Sequence, residues 1–191
     1  MLRKIVVGPY QANAYILACM RSHEGVVIDP GAEAPRIMAQ IHEKGLQIRT
    51  ILLTHGHMDH TGAASEIRQA TGASVLIHPL DAPMAGLVPD AHLEDGQTLQ
   101  VGSYGLAILH TPGHSPGGVC ITAPGVVFTG DTLFAGSVGR TDFPGGSHDM
   151  LLRGVRDKIF PLGDHVRVYP GHGPATTVGR ERKSNPFFTA P

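Results

Sequence analysis

The sequence predicts an α/β or α+β sandwich in which helices cover mixed sheets. Short runs of β-branched and aliphatic residues recur about ten times along the 191 residues. Three or four segments have the spacing of amphipathic helices and lie among the strands in mixed order. The 25 glycines and 15 prolines exceed an ordinary share of roughly 12%, which fits many short strands joined by turns.

The first half of the chain is predicted to mix strands with helices. Three strands come first, and a helix then runs from Pro35 to about Lys44, with Gly45 as its stop. A buried strand follows, and a His-rich loop leads into a helix through about Ala70 that ends at Gly72. The predicted strands of this half are 5–7, 14–17, 26–28, 50–54 and 75–77.

The second half is predicted to be richer in strands. Residues 79–96 contain three prolines and are predicted to be mostly loop. Ser147 can cap a helix with one apolar face, and one short helix is expected before Asn185. The whole chain, 1–191, is predicted to be one domain, because a single core of this size is common. The predicted strands of this half are 99–101, 106–109, 118–122, 126–128 and 166–169.

The composition excludes several classes of function. Lys and Arg total 15 and Asp and Glu total 16, a formal net charge of −1, so no basic field is expected to hold nucleic acid or a membrane surface. No apolar run approaches the ~20 residues of a membrane span, and Gly8 and Pro9 interrupt any signal-peptide core. With only Cys19 and Cys120, a cytoplasmic protein with reduced thiols is expected. The composition leaves a homo-oligomer open.

The strongest chemical signal is a run of potential metal ligands directly after a predicted strand. His55, His57, Asp59 and His60 fall within six residues, and imidazole and carboxylate together suit zinc, iron and related ions. Gly56 is expected to give this loop conformational freedom. His55 and His57 could bind one ion, and Asp59 and His60, at the start of a helix, could bind a second.

Three later segments resemble one another, because each places a single ligand among glycines after an apolar strand. They carry His114, Asp131 and His172. If the strand ends converge on one edge, the seven ligands suit two ions that keep room for water or substrate. A serine-hydrolase elbow at 113–117 is rejected, because Pro116 follows its serine and has no N–H for an oxyanion.

These seven positions resemble the H-x-H-x-D-H motif and the later His, Asp and His of the metallo-β-lactamase superfamily. The resemblance spans nearly the whole chain. It implies a four-layered αβ/βα sandwich with metals at one edge of its two sheets, one aspartate bridging them. By resemblance, the first metal is held by His55, His57 and His114, the second by Asp59, His60 and His172, and the bridge is Asp131.

Within the superfamily, the chain resembles short glyoxalase II-like hydrolases, which cleave acyl-glutathione thioesters such as S-lactoylglutathione. The supporting stretches are 136–146, 171–174 and 185–187. True β-lactamases of the group usually have a Cys ligand and no equivalent of Asp131, so antibiotic hydrolysis is not expected. Only 19 residues follow His172 in the 191-residue chain. The helical C-terminal domain that helps longer glyoxalase II enzymes bind glutathione is therefore not expected, which leaves glutathione specificity open.

The resemblance implies thioester hydrolysis by a metal-bound hydroxide. Two divalent ions, zinc first with iron or manganese as alternatives, would lower the pKa of a water, and Asp59 and Asp131 would be the catalytic residues. The ions would also attract an anionic small-molecule substrate. The candidate contacts for its carboxylates are Arg140, Arg180 and Lys183.

Three other functions stay open. A persulfide dioxygenase shares this fold and a stretch resembling 139–143, and would bind one iron through His55, His114 and Asp131. A nuclease is disfavoured by the lack of a basic stripe. A non-enzymatic zinc protein is disfavoured because a structural site is typically closed at four ligands. Oxygen consumption would select the dioxygenase. A single ion in a closed site, together with no catalytic turnover, would select the zinc protein.

Overall fold

The computed structural model describes residues 1–189, which form two six-stranded sheets, a two-stranded sheet and six α-helices. The remaining two residues of the predicted 1–191 domain lie outside the described range. The strands are β1 (Leu2–Val7), β2 (Ala12–Ala18), β3 (Glu24–Ile28), β4 (Gln47–Leu52), β5 (Ser74–Ile77), β6 (Ala91–His92), β7 (Thr98–Val101), β8 (Tyr104–His110), β9 (Val119–Ala123), β10 (Val126–Gly130), β11 (Leu133–Phe134), β12 (Ser137–Val138), β13 (Arg167–Pro170) and β14 (Thr176–Thr177). The helices are α1 (Ala34–Glu43), α2 (Met58–Thr61), α3 (Ala64–Thr71), α4 (His148–Gly154), α5 (Val178–Ser184) and α6 (Pro186–Thr189).

The first sheet has the strand order β1-β2-β3-β4-β5-β6. Its first three strands pair antiparallel, and β3 to β6 pair parallel. The connections between the parallel strands include α1, α2 and α3. Pro35 stands in the first turn of α1, as predicted, and the buried Ile37 and Ile41 pack against Ile51 of β4. The face of this sheet that the helices cover is therefore buried.

The second sheet has the order β14-β13-β10-β9-β8-β7. Only its β10–β13 pair is parallel, and the other pairs are antiparallel. Ser147 caps α4 as predicted, because its hydroxyl oxygen accepts the Met150 N–H at 3.4 Å. Leu151 of α4 packs with Val127 and Val168 on the outer face of this sheet.

Three apolar clusters divide the molecule into four layers. They lie between the helices α1 and α3 and the first sheet, between the two sheets, and between the second sheet and α4. In β4, Leu52 packs between the sheets, whereas Ile51 and the following Leu53 pack under the helices. Both faces of the strand are buried, which explains its continuous apolar run. The predicted αβ/βα sandwich of two mixed sheets flanked by helices is confirmed.

Several boundaries differ from the prediction. β4 ends at Leu52 rather than Thr54, because the Thr54 backbone N–H and hydroxyl both donate to the Asp29 carboxylate. The helix predicted after the His-rich loop is divided into α2 and α3. The strands β6, β11, β12 and β14 escaped prediction because two residues are too few to show a period. None of the helices within residues 1–189 is long and apolar enough to cross a membrane.

Candidate metal centre

Seven side chains converge at one edge of the sandwich. The loop after β4 of the first sheet supplies four of them, and the loops after β8, β10 and β13 of the second sheet supply one each. All seven ligands predicted from the sequence lie in this cluster. They are His55, His57, Asp59, His60, His114, Asp131 and His172.

One part of the cluster consists of three imidazoles. His55, His57 and His114 each offer a ligand atom, and these atoms lie within 4.8 Å of one another. His57 Nδ1 lies 3.0 Å from His114 Nε2. His55 and His114 are buried, so this first group of nitrogens is largely removed from water.

The second part pairs imidazoles with a carboxylate. Asp59, His60 and His172 also have ligand atoms within 4.8 Å of one another. His172 Nε2 lies 3.2 Å from Asp59 Oδ2 and 3.3 Å from His60 Nε2. The two groups are neighbours, because the ring centroids of His55 and His60 are 4.2 Å apart.

Asp131 stands between the two groups. Its Oδ1 lies 3.5 Å from His60 Nε2, and its Oδ2 lies 3.5 Å from His114 Nε2. Oδ2 is also 3.6 Å from His172 Nε2. A single carboxylate thus faces histidines of both groups, which is the placement that a bridging ligand requires.

Hydrogen bonds behind the rings determine which nitrogen faces the cluster in four of the five histidines. The Thr54 hydroxyl donates to Asp29 Oδ2 at 2.6 Å, so its oxygen accepts the Nδ1–H of His55 at 3.0 Å. His60 donates its own Nδ1–H to Asp29 Oδ2 at 3.1 Å. Both rings are therefore left with Nε2 for a metal, and such hydrogen bonds also raise the basicity of a ligand.

Two backbone carbonyls orient two further histidines in the same way. His114 Nδ1 donates to the Arg140 carbonyl oxygen at 2.7 Å, and His172 Nδ1 donates to the Tyr10 carbonyl oxygen at 3.1 Å. Both rings present Nε2 to the cluster, whereas His57 faces it through Nδ1. The tautomers of four of the five rings are thus set by groups outside the cluster.

The donor set fits divalent metal ions. His55 Nε2 and Asp131 Oδ1 are buried, and within residues 1–189 neither has a hydrogen-bond partner. The Nε2 atoms of His60 and His172 lie 3.3 Å apart, and each ring donates its Nδ1–H to a group outside the cluster. Buried polar atoms are rarely left unpaired, and a cation among these lone pairs would satisfy them. Imidazole and carboxylate are ligands of zinc, iron and manganese.

The protonation equilibria differ between the two groups. Burial and the neighbouring histidines hold the pKa of His55 well below its usual value, and burial and His114 lower the pKa of His57. Burial also opposes charge on His60, but Asp131 and Asp29 outweigh it and raise its pKa to about 9. The pKa of His172 is raised by its hydrogen bond with Asp59. Binding of a metal at the second group would therefore release protons.

Asp29 is a site residue that the sequence did not reveal. Its buried carboxylate binds the Thr54 N–H at 2.7 Å, the Thr54 hydroxyl and His60 Nδ1. The residue has a positive φ of 50°, which Asp tolerates better than most residues. The Asp29-Pro30-Gly31 turn was visible in the sequence, but no local pattern shows that its carboxylate reaches residues 25 and 31 positions away.

Asp81 joins two ligand-bearing loops. Its fully buried carboxylate accepts the Gly56 N–H at 3.0 Å through Oδ2 and the Gly117 N–H at 2.6 Å through Oδ1. A Cβ on Gly56 would lie 2.6 Å from the Asp81 carbonyl oxygen, and one on Gly117 would lie 2.7 Å from Oδ1. The expectation that Gly56 supplies conformational freedom is therefore corrected: it permits close approach of the Asp81 backbone, and its φ is not positive.

The predicted substrate contacts occupy different surroundings. The Arg140 guanidinium is bound by the Asp142 carboxylate at 2.6 and 2.7 Å and lies 4.3 Å from the centre of the Phe143 ring. Phe143 in turn packs 4.9 Å from the His57 ring, so this loop borders the cluster. Arg180 and Lys183 are exposed on α5, and no contact described for residues 1–189 connects their side chains with the seven ligands.

Substitution of Asp81 by asparagine is expected to weaken the first metal site selectively. The amide nitrogen cannot accept an N–H, so the loop of His55 and His57 or the loop of His114 loses its anchor. Such supporting changes typically lower metal affinity about 10- to 100-fold. Stepwise Co²⁺ titration of metal-free protein against a chelator would measure both affinities.

The matched control for Asp81 is Asp90→Asn. Asp90 also accepts a backbone N–H, that of Val75 at 2.8 Å, but it borders no ligand loop. We expect its metal affinities to equal those of the wild type. Unchanged affinities in Asp81→Asn, or an equal fall at both sites, would contradict a role for Asp81 in positioning the first group.

The fold and the donor cluster together define a candidate metal-binding protein of the αβ/βα sandwich class, and the comparison with known families agrees. The family model described as the metallo-beta-lactamase superfamily matches residues 7–172, so the chain belongs to this superfamily. Hydroxyacylglutathione hydrolase GloC of Haemophilus influenzae is 40% identical over 184 residues, which cover 86% of this chain and 87% of that protein. The probable metallo-hydrolase YqgX of Bacillus subtilis is 40% identical over 205 residues, which cover 97% and 96%. The chain is a metallo-hydrolase.

Solved structures share the fold over nearly the whole chain. The BLEG-1 B3 metallo-β-lactamase has a TM-score of 0.92 and 36% identity, with 100% of both chains covered. ETHE1 from Myxococcus xanthus has a TM-score of 0.90 and 28% identity, covering 97% of this chain and 83% of that one. TTHA1623, solved in a di-iron-bound form, has a TM-score of 0.85 and 39% identity, covering 97% and 99%. The superfamily thus binds divalent metals at a His-rich site.

Proposed function

We propose that this metallo-hydrolase cleaves acyl-glutathione thioesters, in the manner of glyoxalase II, within one domain of residues 1–191. The observation that carries the proposal is the double cluster, in which two groups of three ligands share Asp131. Seven donors exceed the four of a closed structural site. The 40% identity to a hydroxyacylglutathione hydrolase supports the thioester substrate. A cytoplasmic location remains a prediction from the sequence.

Two divalent ions are the proposed cofactors, with zinc first and iron or manganese as alternatives. One ion would be held by His55, His57 and His114. The other would be held by Asp59, His60 and His172. When bound, such ions lower the pKa of a water and polarise a carbonyl oxygen. The nitrogen-rich first group suits zinc, whereas the di-iron form of TTHA1623 shows that a related chain accepts iron.

The residues of the chain supply orientation and charge. Although burial opposes it, hydrogen bonding from His172 lowers the pKa of Asp59 to about 2, so this carboxylate is ionised at neutral pH and can accept a hydrogen bond from the attacking water. Hydrolysis adds water to the carbonyl carbon and breaks the C–S bond, and the products are a carboxylic acid and a thiol. Arg140, at the border of the cluster, is the proposed contact for a substrate carboxylate, with Arg180 and Lys183 farther along the surface.

A persulfide dioxygenase is the alternative function. The structural likeness to ETHE1 supports keeping it, and His55, His114 and Asp131 adjoin one another as a mononuclear iron site would require. Hydrolysis is favoured because Asp59, His60 and His172 form a second group that a single iron does not need.

Removal of metal is expected to abolish thioester hydrolysis. We expect protein treated with a chelator to lose hydrolysis of S-lactoylglutathione and to regain it when Zn²⁺, Fe²⁺ or Mn²⁺ is added, because no protein nucleophile is proposed. Metal analysis of the protein as isolated should give up to two ions per chain. The rate is followed by release of the free thiol.

Three outcomes would change the proposal. Full hydrolysis by metal-free protein would refute metal dependence. Oxygen consumption with glutathione persulfide, without thioester turnover, would select the dioxygenase. Hydrolysis of a chromogenic β-lactam in place of thioesters would instead align the chain with the activity named for BLEG-1.

A further inference from the structure

A small cavity adjoins the second group of ligands. It has a volume of about 150 Å³ and shares Asp59 with the cluster. Apart from Asp59, its walls come from glycines, apolar side chains and one tyrosine. The lining residues are Val7, Gly8, Pro9, Tyr10, Gly31, Ala32, Met58 and Asp59.

The wall formed by the β1–β2 loop is held in place on both sides. On one side, the Gly8 N–H donates to Glu33 Oε1 at 2.8 Å, and Arg36 donates to the Val6 carbonyl oxygen at 2.8 Å. On the other side, the Tyr10 carbonyl oxygen accepts the Nδ1–H of His172. The cavity is therefore preformed, and its wall is tied directly to a metal-ligand candidate.

Two large side chains at the cavity are exposed although they are mainly apolar. Met58 is 76% exposed and Tyr10 is 71% exposed. Met58 lies between His57 and Asp59 in the sequence, and it lines the cavity together with Tyr10 and Asp59. Contiguous exposed apolar surface beside a reactive centre is typical of a ligand-binding site.

We propose that this cavity binds the apolar substituent of the acyl group. The inference rests on the proposed thioester hydrolysis. In that reaction the acyl carbon lies at the ligand cluster, and the substituent bonded to it must extend from the cluster toward one of the neighbouring surfaces. The direction past Arg140 is charged, whereas the direction past Asp59 leads to apolar walls. A buried cavity of about 150 Å³ holds benzene in another protein. The favoured substrates are therefore thioesters of aliphatic or aromatic acids whose substituent on the acyl carbon has up to about six carbons.

A series of glutathione thioesters tests the cavity. Acetyl, butanoyl, hexanoyl, benzoyl and lactoyl groups would be compared on metal-loaded wild-type protein by kcat/KM. Since burial of each methylene changes an equilibrium about fourfold, butanoyl, with two more methylenes, is expected to exceed acetyl about 15-fold. Ala32→Leu fills the cavity and is expected to bring this ratio close to one. Met58→Gln keeps the length of the side chain and is expected to lower the ratio, because its amide disfavours an apolar neighbour.

Binding without turnover gives a second measurement. Calorimetry with S-hexylglutathione and S-methylglutathione should show tighter binding of the hexyl compound to the wild type, by at least about tenfold, and a smaller difference in Ala32→Leu. The control is Met20→Gln, which changes another exposed methionine, 44% exposed against 76% for Met58, in the β2–β3 turn. Its ratios should equal those of the wild type.

The outcomes separate the cavity from the proposed reaction. Wild-type hydrolysis with equal rates for acetyl and butanoyl, or an unchanged ratio in Ala32→Leu, overturns the cavity and leaves thioester hydrolysis intact. A wild type that hydrolyses none of the thioesters overturns both. A falling ratio in Ala32→Leu, with a melting temperature like that of the wild type, supports the cavity.

Discussion

Replacement of Asp131 by alanine is expected to remove metal and activity together. The Asp131 carboxylate lies 3.5 Å from His60 Nε2 and from His114 Nε2, so its loss takes a ligand from both proposed sites. Without it, the carboxylate between His60 and His114 is lost, and Asp59 remains beside His60 and His172. Lewis-acid stabilisation of several kcal/mol corresponds to a rate loss of about 10³-fold or more. Metal content by elemental analysis and thioester hydrolysis would be measured on the same preparation.

The control for Asp131→Ala is Asp142→Ala. Asp142 is an exposed carboxylate near the same edge, and its partner is Arg140 rather than a histidine of the cluster. We expect this variant to keep its metal, and any change in its kinetics to appear in KM. If Asp131→Ala retained two ions and wild-type turnover, the bridging role would be wrong.

The variant Asp29→Asn is expected to have the largest effect on stability. The Asp29 carboxylate is buried and accepts three hydrogen bonds, from the Thr54 N–H, the Thr54 hydroxyl and His60 Nδ1. Asparagine keeps the size and tolerates the positive φ of 50°, but its amide group would place a donor against donors. Loss of one partner from such a buried charged network costs about 3 kcal/mol of unfolding free energy. Urea unfolding of metal-free protein measures it.

The pH dependence of the same variant gives an independent readout. In metal-free protein, Asp131 and Asp29 overcome the effect of burial and raise the pKa of His60 from 6.5 to about 9. The folded state therefore binds a proton that the unfolded state releases between these values, so this contribution to stability is full below about pH 6.5 and is lost as pH rises through about 9. Asp29→Asn should flatten that decline. The control is Asp90→Asn, which changes an exposed carboxylate. It should change the unfolding free energy by less than about 1 kcal/mol and keep the wild-type dependence of that free energy on pH. Equal losses of unfolding free energy in the two variants would contradict the role of Asp29.

The convergence of the seven candidate ligands was predictable from local sequence patterns. His55, His57, Asp59 and His60 lie within one loop, and His114, Asp131 and His172 each follow a strand. Strand ends at the same edge of a sandwich bring their loops together whatever the details of packing. The predicted fold was confirmed for a similar reason, since Ile51, Leu52 and Leu53 form a continuous apolar run, which is typical of a strand buried on both faces.

The supporting residues were not predictable from local patterns. Asp81 reaches Gly56 and Gly117, at 25 and 36 positions along the chain, and neither contact leaves a periodic signal. Arg140 shows the same limit. Its charge suggested a substrate contact, which stays a proposal, but no pattern indicated that its carbonyl oxygen accepts a hydrogen bond from His114. Because almost every residue has the same backbone N–H and C=O groups, the sequence does not show which side chain will form a hydrogen bond with a given backbone group.

The sequence by itself predicted which chemical groups the candidate centre contains and placed them after the ends of strands. Only the tertiary structure shows which nitrogen of each ring faces the cluster and that Asp131 lies between His60 and His114. The physical reason is that a histidine tautomer depends on the acceptor behind the ring. That acceptor can be far away in the chain: His172 is oriented by the Tyr10 carbonyl, 162 positions earlier. The β1–β2 loop, which contains Tyr10, also forms a wall of the proposed acyl cavity.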